Sequence, residues 1–122
     1  LYATAKQHAY KTGRVAEYAA ALDAYVVKLQ ELDQSSVAQD VGFFSVECGE
    51  AFEELARKGG SKTEQWQREA VRAYKVGVEF CRERMAGAPC KSQLWQCLAL
   101  ALKRMKVFDM AERAYRFSFA LD

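Results

Sequence analysis

Between Val37 and Leu55 the apolar positions Val37, Val41, Phe44, Cys48, Phe52 and Leu55 advance in steps of three or four, the period of one face of an amphipathic helix. Trp66, Ala70, Ala73, Tyr74, Gly77, Val78 and Cys81 keep that period between Thr63 and Met85, and the segments Leu94 to Met105 and Phe108 to Leu121 keep it again. Ser36 stands where a side-chain N-cap would open the first of these runs. No segment sustains an apolar/polar alternation, and the chain contains no Ile, so strands are not expected. Breakers fall at Thr12-Gly13, Gln34-Ser35-Ser36, Lys58-Gly59-Gly60-Ser61 and Ala86-Gly87-Ala88-Pro89. The pattern predicts six helices, near 2–12, 14–33, 36–58, 62–86, 91–105 and 107–121.

An internal repeat organises these helices. Ala-x-x-Ala-Tyr occurs at Ala21 to Tyr25, Ala70 to Tyr74 and Ala111 to Tyr115, each time on the second helix of a pair. Alanine lets two helix backbones approach, and the following aromatic covers the same face. The expectation is an all-α solenoid of three antiparallel hairpins in series, about 1–33, 36–86 and 91–121, forming one domain over 1–122.

The last hairpin carries the most specific signature. Trp95, Leu98, Ala99 and Leu102, followed by Phe108, Ala111, Tyr115 and Ser118, resemble the tetratricopeptide repeat (TPR) pattern. In the middle hairpin Cys48, Gly49 and Phe52 resemble its first-helix half, and Ala70, Tyr74 and Gly77 its second, with about nine extra residues between the halves. The first hairpin keeps only Ala21 and Tyr25, and Leu1 to Lys11 lacks the first-helix signature. The lengthened repeats also resemble those of kinesin light chains and of the soluble attachment proteins of vesicle fusion, and are similar to the half-TPR repeats of RNA-processing scaffolds. The resemblance implies a superhelix and a protein-interaction module of an intracellular scaffold or adaptor, in the cytoplasm or nucleus.

Composition narrows the chemistry. The 122 residues are 51% apolar and 28% charged with one Pro, as in a single globular domain, and no apolar run is long enough to span a membrane. The chain begins at Leu1 without a basic-then-apolar leader, which is expected of a segment of a longer protein. Cys48, Cys81, Cys90 and Cys97 fit neither a zinc-finger spacing nor a C-x-x-C pair and are expected as reduced, buried thiols. There is no phosphate-binding glycine loop, no zinc-protease motif and no nucleophile elbow. His8, the lone histidine, has only Lys6, Gln7 and Lys11 near it on its helix, and Glu50, Glu53 and Glu54 form an ordinary acidic helix face. A non-enzymatic protein without cofactor or metal is the resulting expectation.

The formal net charge of +2 conceals two opposed halves. Residues 29–56 hold seven acidic side chains and no Lys or Arg, while 57–122 hold 14 basic and 7 acidic ones. In stacked hairpins the first helix of each pair lines the inner wall. Positions beside the packing stripe there are Phe43, Val46, Glu47, Glu50, Glu53 and Glu54 in the middle hairpin, and Gln93, Gln96, Leu100, Lys103 and Arg104 in the last. An apolar entrance, an acidic wall and a basic far end predict a groove for a basic peptide or partner helix with apolar anchors.

The resemblance adds an exclusion. Repeats that clamp a chaperone's terminal carboxylate use basic and Asn side chains where this chain has Val46, Glu50, Gln93 and Gln96, so that role is disfavoured. RNA binding through the basic half is the alternative, but Trp66, Tyr74, Trp95 and Tyr115 stand at signature positions expected to be buried rather than free to stack on bases. The C-terminal helix ends at Ala120-Leu121-Asp122 with no polar cap after it, which predicts further repeats or self-association through that end.

Overall fold

A computed structural model of the chain describes the backbone of residues 2–32, 37–84 and 91–121, and the side chains of 5–32, 37–82 and 92–118. Among the described residues there are six helices and no strand: α1 (Tyr2–Thr12), α2 (Val15–Leu32), α3 (Ala38–Arg57), α4 (Thr63–Arg84), α5 (Lys91–Arg104) and α6 (Phe108–Leu121). Sequential helices pair as antiparallel hairpins. The α3/α4 and α5/α6 pairs are extensive and α1/α2 is slight, while α2 on α3, α4 on α5 and α3 on α5 join the hairpins.

Left-handed residues close the ends of α1, α3 and α5, the first two at the predicted breakers. After α1, Gly13 takes a φ of 76° and the Arg14 amide donates to the Ala9 carbonyl, so the last turn is closed by a left-handed residue. Gly59 and Gly60 do the same after α3, with φ of 81° and 100°. Between α5 and α6 the left-handed residue is Lys106, at φ 66°, and the Val107 and Lys106 amides donate to the Leu102 and Lys103 carbonyls. Val37 precedes α3 without a side-chain cap; Ser36, expected as the cap, and Cys90 lie outside the described residues.

Helix lengthening absorbs the extra residues of the middle hairpin. Helices α3 and α4 run 20 and 22 residues, against 14 each for α5 and α6. The main core joins Val15, Ala19 and Leu22 of α2 to Phe52 of α3, Tyr74 and Val78 of α4, Leu94 and Leu98 of α5, and Ala111 and Ala114 of α6. A smaller cluster holds Val26 and Leu29 against Val41 and Phe80. Helices α3 and α4 meet closely where Gly49 faces the Tyr74 ring and Gly77 faces Ser45 and Leu94.

Two sequence expectations need correction. The Ala-x-x-Ala-Tyr copies of α4 and α6 bury their alanines, but in α2 Ala21, Ala24 and Tyr25 are exposed. Helix α2 packs instead through Val15, Ala19, Leu22, Val26 and Leu29. Its many alanines make the small-residue pattern occur on more than one face, and the larger aliphatic side chains select the buried one. Of the aromatics expected in the interior, Tyr74 is fully enclosed, whereas Trp66, Trp95 and Tyr115 are half-buried at the rim of the core.

Candidate functional site

The face of α3 turned away from the core carries Glu47, Glu50, Glu54 and Arg57, spaced so that they follow one another up successive turns. Beside them runs a solvent-open groove of about 720 Å³, walled by α1, α3 and α5 with Gln67 and Ala70 of α4 at its base. Lys6 and Tyr10 supply the α1 side and Arg104 the α5 side.

Ion pairs fix this wall. Lys6 Nζ donates to Glu47 Oε2 at 2.9 Å, tying α1 to α3, and sits 5.9 Å from the Tyr10 ring centre. Arg104 donates to Glu53 Oε2, tying α5 to α3, and Arg57 donates to both oxygens of Glu54 within α3. Pairs of this partly exposed kind each contribute about 0.2–1 kcal/mol, so they orient side chains more than they stabilise the fold.

Glu50 is the exception. Among the described residues it makes no hydrogen bond or ion pair, although three neighbouring glutamates do. Partial withdrawal from water raises its pKa above the ordinary carboxylate value, and the Glu47 charge adds to the shift against the opposing pull of Lys6. Glu53 is raised as well, chiefly by burial, with Arg104 opposing. Its Oε1 is buried without a hydrogen-bond partner. The groove therefore holds one carboxylate, Glu50, without an ion pair among the described residues, and one carboxylate oxygen, Glu53 Oε1, without a hydrogen bond.

Four of the predicted site residues, Glu50, Glu53, Glu54 and Arg104, line this groove, and Glu47 stands behind it on Lys6. Val46 does not: it is 4% exposed and belongs to the core, because the α3 face that meets α2 and α4 is one position wider than the apolar stripe suggests. Phe43 is exposed near the start of α3, in edge contact with Phe44. Gln93, Gln96, Leu100 and Lys103 are exposed on α5 but do not line the groove. Lys6, Tyr10 and Arg57 were not foreseen. The i, i+4 spacing of Lys6 and Tyr10 on α1 is the signal that would have placed them together.

No acid–base or nucleophilic constellation is built around the groove by the described residues. His8 is exposed on α1. Among the described residues no group of three or more His, Cys, Asp or Glu side chains is arranged to hold a metal ion, and no helix is long and apolar enough to cross a membrane. Cys48 and Cys81 are buried and Cys97 partly so; burial pushes the Cys48 and Cys97 thiols up to about 12. No family model, curated protein or solved structure matches the chain.

Proposed function

We propose that this domain is a non-catalytic, TPR-like protein-interaction module whose α1, α3 and α5 wall binds a peptide or partner helix carrying a basic residue beside apolar anchors. The observation that carries the reading is Glu50. It lies in an open groove without an ion pair among the described residues, its charge opposed only at longer range by Lys6, while Glu47, Glu53 and Glu54 around it are already paired within the chain. A lysine or arginine entering there would gain an ion pair without breaking one. This narrows the acidic wall to one or two receptive carboxylates. Gly49 against Tyr74, and Ala70 and Ala73 at the buried face of α4, support the TPR-like reading, since small residues admit the close helix approach that the repeat pattern implies.

The test is selection of a displayed random-peptide library on the folded domain, with affinities then measured by fluorescence anisotropy. Selected sequences should share a Lys or Arg beside apolar residues, and Glu50→Lys should weaken them about tenfold or more, as expected for reversing a charge at a binding contact. Failure to enrich any sequence, or enriched peptides that bind the Glu50→Lys variant equally well, would overturn the proposal.

A further inference from the structure

A second groove, of about 220 Å³, lies on a different face, between α4 and α6 with α5 as its floor. Val78, Leu98 and Leu102 form the apolar base. Above them Trp95 stacks on Phe117, with ring centres 4.8 Å apart and planes at 24°. Phe117 is 55% exposed and Met110 42%, so two large apolar side chains of α6 stand in water along one groove rather than scattered singly.

The charges around this groove are unusual for the surface they occupy. Among the described residues the other arginines of α4 and α6 have acidic neighbours: Arg68 has Glu64, Arg72 has Glu69 and Asp23, and Arg116 has Glu112. Among the described residues Lys75, Arg82 and Arg113 at the groove make no ion pair, and Glu79 is the one acidic side chain lining it. An apolar trough thus carries, on its two banks, three cations without an ion pair among the described residues.

We infer that the α4/α6 groove is a second docking site, for an acidic amphipathic helix of a protein partner. Charge complementarity sets the sign of the partner. Register sets its shape: Lys75, Val78, Glu79 and Arg82 climb α4 at i, i+3, i+4 and i+7, and Met110, Ala114 and Phe117 climb α6 at i, i+4 and i+7, two helix-spaced rows that flank the trough as a helix-in-groove site requires. Nucleic acid fits less well, because Phe117 already covers the Trp95 ring on which a base would stack, and Glu79 would face the phosphates. This site is independent of Glu50 and its groove.

The probes are three synthetic peptides that share one helical stripe of leucines and differ only in carrying Glu, Gln or Lys beside it. Fluorescence anisotropy at low and physiological salt should show the Glu peptide binding about tenfold or more tighter than the Lys peptide, with the difference shrinking as salt rises. Phe117→Ala should weaken the Glu peptide about tenfold, the size expected for removing an aromatic anchor. The double variant Arg82→Glu, Arg113→Glu alters only exposed side chains and should exchange the preference, so that the Lys peptide binds tighter; unchanged helical circular dichroism verifies its fold. All three peptides are compared on the Glu50→Lys protein, whose first groove is closed to the Lys peptide, and the Glu-peptide affinity should be the same there as on the parent. Equal binding of the three peptides, or a Glu preference that survives the charge reversal, would overturn the inference. So would a single-stranded RNA that outcompetes the Glu peptide and is lost with Arg82 and Arg113, or a concentration-dependent mass abolished by Phe117→Ala, which would assign the groove to RNA or to a second copy respectively.

Discussion

Gly49 of α3 lies so close to Tyr74 of α4 that a methyl group placed on it would stand 2.3 Å from the tyrosine Cε1. The contact is with the rigid ring of a side chain that is 1% exposed, so neither partner can swing away. Alanine is the better helix former by about 1 kcal/mol, yet overpacking a tight core costs about 1–3 kcal/mol. Gly49→Ala is therefore expected to lower stability, and urea unfolding followed by circular dichroism will show a lower midpoint. A higher midpoint would mean that the hairpin relaxes more easily than its packing indicates.

Truncating the enclosed ring measures the same interface from its other side. Tyr74→Ala should cost about 3–5 kcal/mol, the range for deleting a buried aromatic. Trp95→Ala and Tyr115→Ala should each cost less, because both are half-buried and part of each ring already faces water. Ranking the three variants by thermal melting tests the order Tyr74 above the other two.

That ranking shows what the sequence made legible. The six helices, their pairing and the place of the extra residues follow from the three-to-four-residue apolar period and from Gly13, Gly59 and Gly60. Depth of burial does not follow, because the period gives the direction a side chain faces but not how far the neighbouring helix extends over it. Trp95 faces α6 and still meets solvent beside Phe117. The same limit placed Val46 in the groove. Glu50, Glu53, Glu54 and Arg104 were legible as groove residues from register alone, whereas the Arg104 to Glu53 and Lys6 to Glu47 pairs depend on distances between α1, α3 and α5 that no local pattern encodes. The exposed Ala-x-x-Ala-Tyr pattern at Ala21 to Tyr25 has a simpler origin: in an alanine-rich helix, small residues recur on more than one face.

Lys106 is a non-glycine residue held at φ 66° to end α5. A side chain in that left-handed region costs about 1–2 kcal/mol, part of which glycine returns as extra freedom of the unfolded chain. Lys106→Gly should raise stability by about 0.5–1 kcal/mol, measured by the shift in urea midpoint. A loss would indicate that the lysine side chain itself contributes to the α5/α6 turn.

Glu50 titrates at a higher pH in the folded domain than its ordinary value of 4.5. The folded state therefore holds that proton more tightly than the unfolded chain does. Its stabilising contribution is complete below about pH 4.5 and is lost as pH rises through the folded pKa. Glu50→Gln removes this loss. The Tm difference between Glu50→Gln and the parent should grow in favour of the variant as pH is raised from below 4.5 to neutrality. A difference independent of pH would show that Glu50 is as well hydrated in the groove as in the open chain.

Cys48 is 1% exposed and its thiol is pushed up to about 12 by burial. At neutral pH it holds almost no thiolate, and reaction with iodoacetamide should follow global unfolding rather than local exposure. Site-resolved mass spectrometry should find Cys48 unmodified in buffer and rapidly alkylated in denaturant. Fast labelling of Cys48 under native conditions would reveal opening between α2 and α3.

The slight packing of α1 on α2 gives the first groove a thermodynamic character of its own. One bank of that groove, with Lys6 and Tyr10, belongs to the helix least supported by the core and tied to α3 by the Lys6 to Glu47 pair. Apparent affinity is the intrinsic affinity scaled by the fraction of molecules in which that bank is docked. Binding of the proposed peptide and ordering of α1 would then be one coupled equilibrium, in which the peptide would slow amide exchange in α1 and any change that docks α1 more firmly would tighten binding without touching the peptide.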